Sequence, residues 1–136
     1  MTPLPRLARG RAGDERGEVT TTTLIFPALL FVILVSVQFA LAYHAKSVLT
    51  AAAQDGARAA QAEGSTRQEG ERAASEFVRA NAARLVEDVD VTVAGDADAV
   101  TVVVRGEVSS VVPGLHLTVA GRASGPVERF RPEGQR

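Results

Sequence analysis

The side chains with the chemistry to act are few and scattered. Asp88, Asp90, Asp96 and Asp98 form the densest run of carboxylates, the oxygen ligands that a hard cation takes. They lack the Gly-closed alternation and the distal Glu that make such a run a calcium loop. His44 stands beside Tyr43 at the edge of an uncharged stretch, an interfacial pair more than a ligand pair. His116 is alone in an alternating segment. With no cysteine in the chain, thiolate nucleophiles, Cys-ligated metals and disulfides are excluded. No nucleophile–base pair, phosphate-binding loop or histidine cluster can be assembled from local spacing. The residues therefore predict no enzyme, no cofactor and no metal centre. A net charge of −1 and the absence of Trp also argue against nucleic acid as a partner.

What the sequence does carry is segregation of charge. Residues 1–17 are a basic leader broken by Pro3, Pro5, Gly10, Gly13 and Gly17, and from Val19 to Tyr43 there is no Asp, Glu, Lys or Arg. A helix from Leu24 to Ala42 would be about 28 Å long, close to the hydrocarbon thickness of a bilayer. Only Ser36 and Gln38 interrupt its apolar centre, so residues 18–43 are predicted to be a transmembrane helix. Pro27 falls in the first turns of the apolar part, where a missing N–H is best tolerated. Arg6, Arg9, Arg11 and Arg16 precede the span, whereas Lys46 and Arg58 are the basic residues soon after it. The positive-inside rule then places the N-terminus in the cytoplasm and the rest of the chain outside. The competing possibility is a secretory signal peptide cleaved after Ala42, since Ala40-Leu41-Ala42 supplies a small-residue site behind an apolar region. Against it, the helix-forming pattern runs through that site without a Pro or Gly before Gly56.

Beyond the span, residues 44–63 are rich in Ala, the strongest helix former, and predict a helical extension. Ala52, Gly56 and Ala60 lie four residues apart. Such a row of small residues suits close helix packing, although an Ala-rich stalk fits equally well. Gly64 suits the C′ position that ends a helix. Residues 64–124 predict a small cap. Ser65 or Thr66, with Gln68 or Glu69 three residues on, forms a capping box that opens a second, amphipathic helix with Ala74, Phe77, Val78, Ala82 and Leu85 as its apolar stripe. The period then becomes two. Val89, Val91 and Val93, then Val100, Val102 and Val104, then Leu115, Leu117 and Val119 alternate with neighbours that, Val103 apart, are polar or small. This predicts three short, antiparallel strands with one apolar face, covered by Phe77, Val78 and Leu85. Residues 125–136, with Pro126, Pro132 and Gly134, predict an irregular tail. The expected fold class is α+β, on a long transmembrane helix that continues outside the membrane.

Three stretches carry a resemblance: Arg16-Gly17 before the span, Phe39-Ala40-Leu41-Ala42-Tyr43-His44-Ala45 at its end, and the run from Ala51 to Ala60, within which Ala53-Gln54-Asp55-Gly56-Ala57-Arg58-Ala59-Ala60 is the most specific part. Together they resemble the TadE-like family, in particular the actinobacterial minor pseudopilins of the tight-adherence (Flp, type IVb) pilus system. Pro113-Gly114-Leu115 and Gly125-Pro126-Val127-Glu128-Arg129-Phe130 extend the likeness toward the C-terminus. The resemblance implies insertion as a precursor and cleavage by a prepilin peptidase on the cytoplasmic side of the membrane. Gly17 matches the residue after which that enzyme cuts, which would make Glu18 the new N-terminus. It also implies partners: membrane lipid, other pilins or pseudopilins, and the pilus assembly platform. Relatives usually carry a Glu at the fifth position after the cut, where a carboxylate can pair with a neighbouring subunit's N-terminal amine. Thr22 stands there in this chain and cannot carry that charge.

Two functions of different class follow. One is a membrane-anchored structural or assembly component of a pilus or related secretion apparatus, either processed after Gly17 or left whole. The other is an extracytoplasmic binding module unrelated to pili, anchored or released after Ala42.

Overall fold

The computed structural model describes residues 14–96 and 98–127, with side chains from Thr23 onward. The chain forms two compact units, Met1–Val35 and Ser36–Arg136. Five elements follow in order: α1 (Asp14–Gln61), α2 (Arg67–Ala82), β1 (Val86–Gly95), β2 (Ala99–Val108) and β3 (Leu117–Pro126). The class is α+β.

Helix α1 is 48 residues long. Because it begins at Asp14, Pro27 lies in its interior and not in an opening turn. A proline there removes one ladder hydrogen bond, a loss that apolar spans accommodate by local backbone adjustment. From Leu24 to Ile33 the large side chains are exposed on every side of the helix, Leu24 at 71% and Phe26 at 66%. A soluble core helix would bury this surface. Here it is left for another solvent, and the segment beginning at Thr23 is long and apolar enough to cross a membrane.

The second unit is a two-layer sandwich of helices on one sheet face. Helix α2 starts at a complete capping box. The Thr66 hydroxyl accepts from the Glu69 N–H at 3.3 Å, and the Glu69 carboxylate accepts from the Thr66 N–H at 2.7 Å, so two donors that the first helical turn would leave orphaned are satisfied. Its buried residues are Gly70, Ala74, Val78 and Ala82, a single stripe at a spacing of four. Phe77 and Leu85 are half-buried at the margin of the core.

The sheet has the order β1-β2-β3 and is antiparallel throughout. In β2 the alternation is unbroken, with Val100, Val102, Val104, Gly106 and Val108 buried. In β1 it is broken. The register shifts between Glu87 and Asp90, and Asp88 adopts φ 48°, a left-handed conformation that Asp tolerates better than most residues. This bulge inserts one residue, so Val86 and Val93 face the core while Val89 is turned to solvent. The expectation that Val89 shares a buried face with Val91 and Val93 is corrected accordingly. Strand β3 begins at Leu117, after a turn in which the Leu115 N–H bonds to the Val112 carbonyl at 3.2 Å. Leu115 therefore precedes the strand. At its other end the strand continues through Gly125 and Pro126, residues expected to be irregular. Residues 128–136 of that tail lie outside the described residues.

Helix α1 contributes as many buried residues to the core cluster as the sheet does: Ala45, Leu49, Ala52, Ala53, Ala57 and Ala60. The helical extension is thus not a stalk below the cap but one of the two helices that cover its sheet. A core of Ala and Val has little reach, so the backbones must come close. Gly121 of β3 shows how close. A Cβ there would collide with the backbone of Leu49 and Thr50, so only glycine lets α1 cross the strand at this point.

Candidate functional site

The residues from Gly17 to Thr22, including the expected cleavage pair Gly17 and Glu18, fall within the first turns of α1. Their side chains lie outside the described residues. Ala52, Gly56 and Ala60 are all buried on the face of α1 toward α2. A Cβ on Gly56 would sit 2.7 Å from the Gly70 carbonyl oxygen and 2.9 Å from the Ala74 Cβ, and one on Gly70 would sit 2.8 Å from the Ala60 Cβ. The two helices meet backbone to backbone along this row, at distances no larger side chain could occupy.

The remaining residues singled out for chemistry have structural employment or water around them. Asp96 caps the β1–β2 turn, its carboxylate accepting from the N–H groups of Asp98 at 2.9 Å and Ala99 at 3.0 Å, the Asx geometry that stabilises tight turns. Asp88 occupies the bulge, and Asp90 accepts from the Thr92 hydroxyl at 3.4 Å. His116 pairs with Glu107 of β2 on the open side of the sheet. His44 and Tyr43 are exposed. Among the described residues no group of three or more metal-ligating side chains is gathered.

One constellation could not be found by local spacing. Gln38 belongs to the uncharged stretch yet is fully buried, while its neighbours Val37 and Phe39 are exposed. Its Oε1 accepts a hydrogen bond from the Val111 N–H at 2.8 Å, with the Ser110 Oγ 3.4 Å away. Gln38 Nε2 has no hydrogen-bond partner among the described residues. Leu41 and Ala42 pack against the core in the same region. The β2–β3 loop is thereby fastened to α1 five residues before Tyr43. The signal available in the sequence was the presence of a Gln in an otherwise apolar segment, since an amide placed there needs a partner.

Among the described residues no nucleophile–base pair is brought together. The arrangement is a long helix whose first part offers apolar surface to lipid or to other helices and whose second part is the spine of a folded cap. This fits a single-pass membrane anchor. No curated protein matches the chain, and no solved structure does. A family model described as TadE-like protein matches residues 22–58, part of α1 from Thr22 through the Ala-rich run to Arg58, and leaves α2 and the sheet unmatched.

Proposed function

We propose that this chain is a membrane-anchored, pseudopilin-like structural or assembly component of a tight-adherence (type IVb, Flp) pilus or a related secretion apparatus. The observation that carries the proposal is the coincidence of the TadE-like match with the helix that joins an exposed apolar segment to a folded cap. A subunit that enters or nucleates a helical bundle needs such a helix. Its apolar surface must be able to exchange lipid for the helices of neighbours, and its cap must be rigidly coupled to that helix. In this reading the N-terminus lies in the cytoplasm and the cap outside, as the arginines before the span support. Partners are membrane lipid, pilin or pseudopilin subunits and the assembly platform, with a prepilin peptidase acting after Gly17. No enzymatic role is proposed.

Release of a secreted module after Ala42 is disfavoured by packing. Cleavage there would remove Gln38, Leu41 and Ala42, which the cap uses. It would leave the Val111 N–H without its acceptor. The proposal is tested by deleting the gene in its host and counting surface pili by electron microscopy. Loss of pili, restored by the full chain, is expected. Normal pili in the deletion strain would reject an assembly role.

A further inference from the structure

We propose that the β2–β3 loop, residues 109–116, is a membrane-contacting element whose apolar tip enters the interfacial region of the leaflet from which α1 emerges. The inference rests on the anchor reading above.

Four observations converge on it. The first is depth. Gln38, to which the loop is fastened, lies five residues before Tyr43, about 8 Å of helix rise on the apolar side of it. Its neighbours Val37 and Phe39 remain exposed and apolar, so the helix surface at that level suits hydrocarbon.

The second is composition. From Val108 to Gly121 there is no Asp, Glu, Lys or Arg, and the loop carries Val111, Val112, Pro113 and Leu115. Val111 is 42% exposed, an apolar side chain held outward at the loop tip.

The third is backbone satisfaction. Irregular backbone is tolerated at membrane depth only where the protein supplies its hydrogen-bond partners. In this loop the Ser109 N–H bonds to the Leu85 carbonyl at 2.9 Å and the Leu115 N–H to the Val112 carbonyl at 3.2 Å. The Val111 N–H bonds to Gln38, and the Val112 N–H to the Ser110 hydroxyl at 3.2 Å. That hydroxyl also donates to the Val112 carbonyl at 2.6 Å, and Pro113 has no N–H to satisfy. Four of the loop's seven N–H groups, those of Ser109, Val111, Val112 and Leu115, are thus satisfied by the protein.

The fourth is polarity along the cap. The Asp96–Asp98 turn lies at the opposite end of the hairpin from the loop, because β1 and β2 pair from Val86↔Val108 at one end to Gly95↔Val100 at the other. The carboxylates at the loop's own end are partnered: Glu87 accepts from the Ser109 hydroxyl at 3.2 Å, and Glu107 pairs with His116. These features fit a lipid surface as the occupant. They also give the Gln in the span a role: its Oε1 supplies the acceptor for the Val111 N–H.

The absence of native cysteine permits a direct test. Full-length V111C and A94C variants are labelled with an environment-sensitive fluorophore and reconstituted into vesicles of phosphatidylcholine and phosphatidylglycerol. Both positions are exposed, so neither substitution threatens folding. Flotation after a carbonate wash reports the anchor independently of the loop. At position 111 a blue-shifted emission is expected, with quenching by shallow nitroxide-labelled lipid and several-fold weaker quenching by aqueous iodide than at position 94. A floated protein in which position 111 is as open to iodide as position 94 overturns the inference and leaves the anchor intact. Shielding from both iodide and lipid nitroxide assigns the loop to a protein contact, such as a second copy, and also overturns it. Failure to float overturns both the inference and the anchor reading.

Discussion

The side-chain Oε1 of Gln38 accepts a hydrogen bond from the backbone N–H of Val111 at 2.8 Å across 73 positions of sequence. This one contact ties the apolar part of α1 to the far end of the sheet. It makes the cap a structure built on the anchor and not merely carried by it.

Gln38→Leu should separate the two roles of this residue. The span becomes more apolar, so insertion should be kept or improved. The Val111 N–H loses its acceptor, and a buried donor left unmade costs about 1–3 kcal/mol. Amide exchange in the reconstituted protein should therefore accelerate at residues 109–116, with less change in α2. Unaltered protection at Val111 would show that the bond contributes nothing to holding the loop.

The row where α1 meets α2 has no slack. Gly56→Val places branched carbons where the Gly70 carbonyl and the Ala74 Cβ already stand within 3 Å of a single added Cβ. Overpacking of this kind typically costs about 1–3 kcal/mol. Leu49→Ala acts in the opposite sense by opening a cavity beneath the largest fully buried side chain of the core, at about 2–5 kcal/mol. Against a domain stability of about 5–15 kcal/mol, both should lower the thermal midpoint of the detergent-solubilised protein. Gln54→Ala, on the exposed side of the same helix, should stay within about 0.5 kcal/mol of the parent. Equal midpoints for Gly56→Val and Gln54→Ala would contradict the close helix contact.

Much of this architecture was legible in local pattern, and what was not has identifiable causes. The span announces itself by the absence of charge from Val19 to Tyr43, and α2 by its Thr66–Glu69 capping box. Strand β2 is visible in its alternating valines. Val89 misled because one left-handed residue, Asp88, reverses the alternation before it. The full length of β3 was hidden because its buried face includes Gly121 and Gly125, residues depleted in strands. Gly121 is there because α1 presses against it. The Ala-rich extension resembles a stalk because alanine periodicity carries little contrast, and its burial depends on strands far along the chain. The Gln38–Val111 bond has no local signature at all. The expected site at Gly17, Glu18 and Thr22 rests on family resemblance.

Leu30→Arg and Val32→Arg test the anchor. Both residues are exposed on the apolar helix, and each substitution should cost about 2.5–3.5 kcal/mol of insertion free energy. The double variant should appear in the carbonate-extractable fraction while the parent stays in the membrane. Salt or carbonate release of the unmodified full-length protein would remove the basis for a span, because apolar retention is not screened by ions.

Thr22→Glu tests what its departure from the family pattern means. In a chain cut after Gly17, the new carboxylate can reach a neighbour's terminal amine, and co-purification with pilin subunits should rise. In an uncut chain it is an unpaired charge near the cytoplasmic edge of the span, and pilin association should not change. No increase in a variant shown to be cut would reject charge pairing as the function this protein lacks.

The most direct measurement is the N-terminal sequence of the mature protein recovered from carbonate-washed membranes. A chain beginning at Glu18 is expected: the leader is removed, and the span, the Gln38 contact and the cap remain one piece. A chain beginning at Tyr43, found in the soluble extracytoplasmic fraction, would contradict a membrane-anchored assembly component and establish a secreted module in its place.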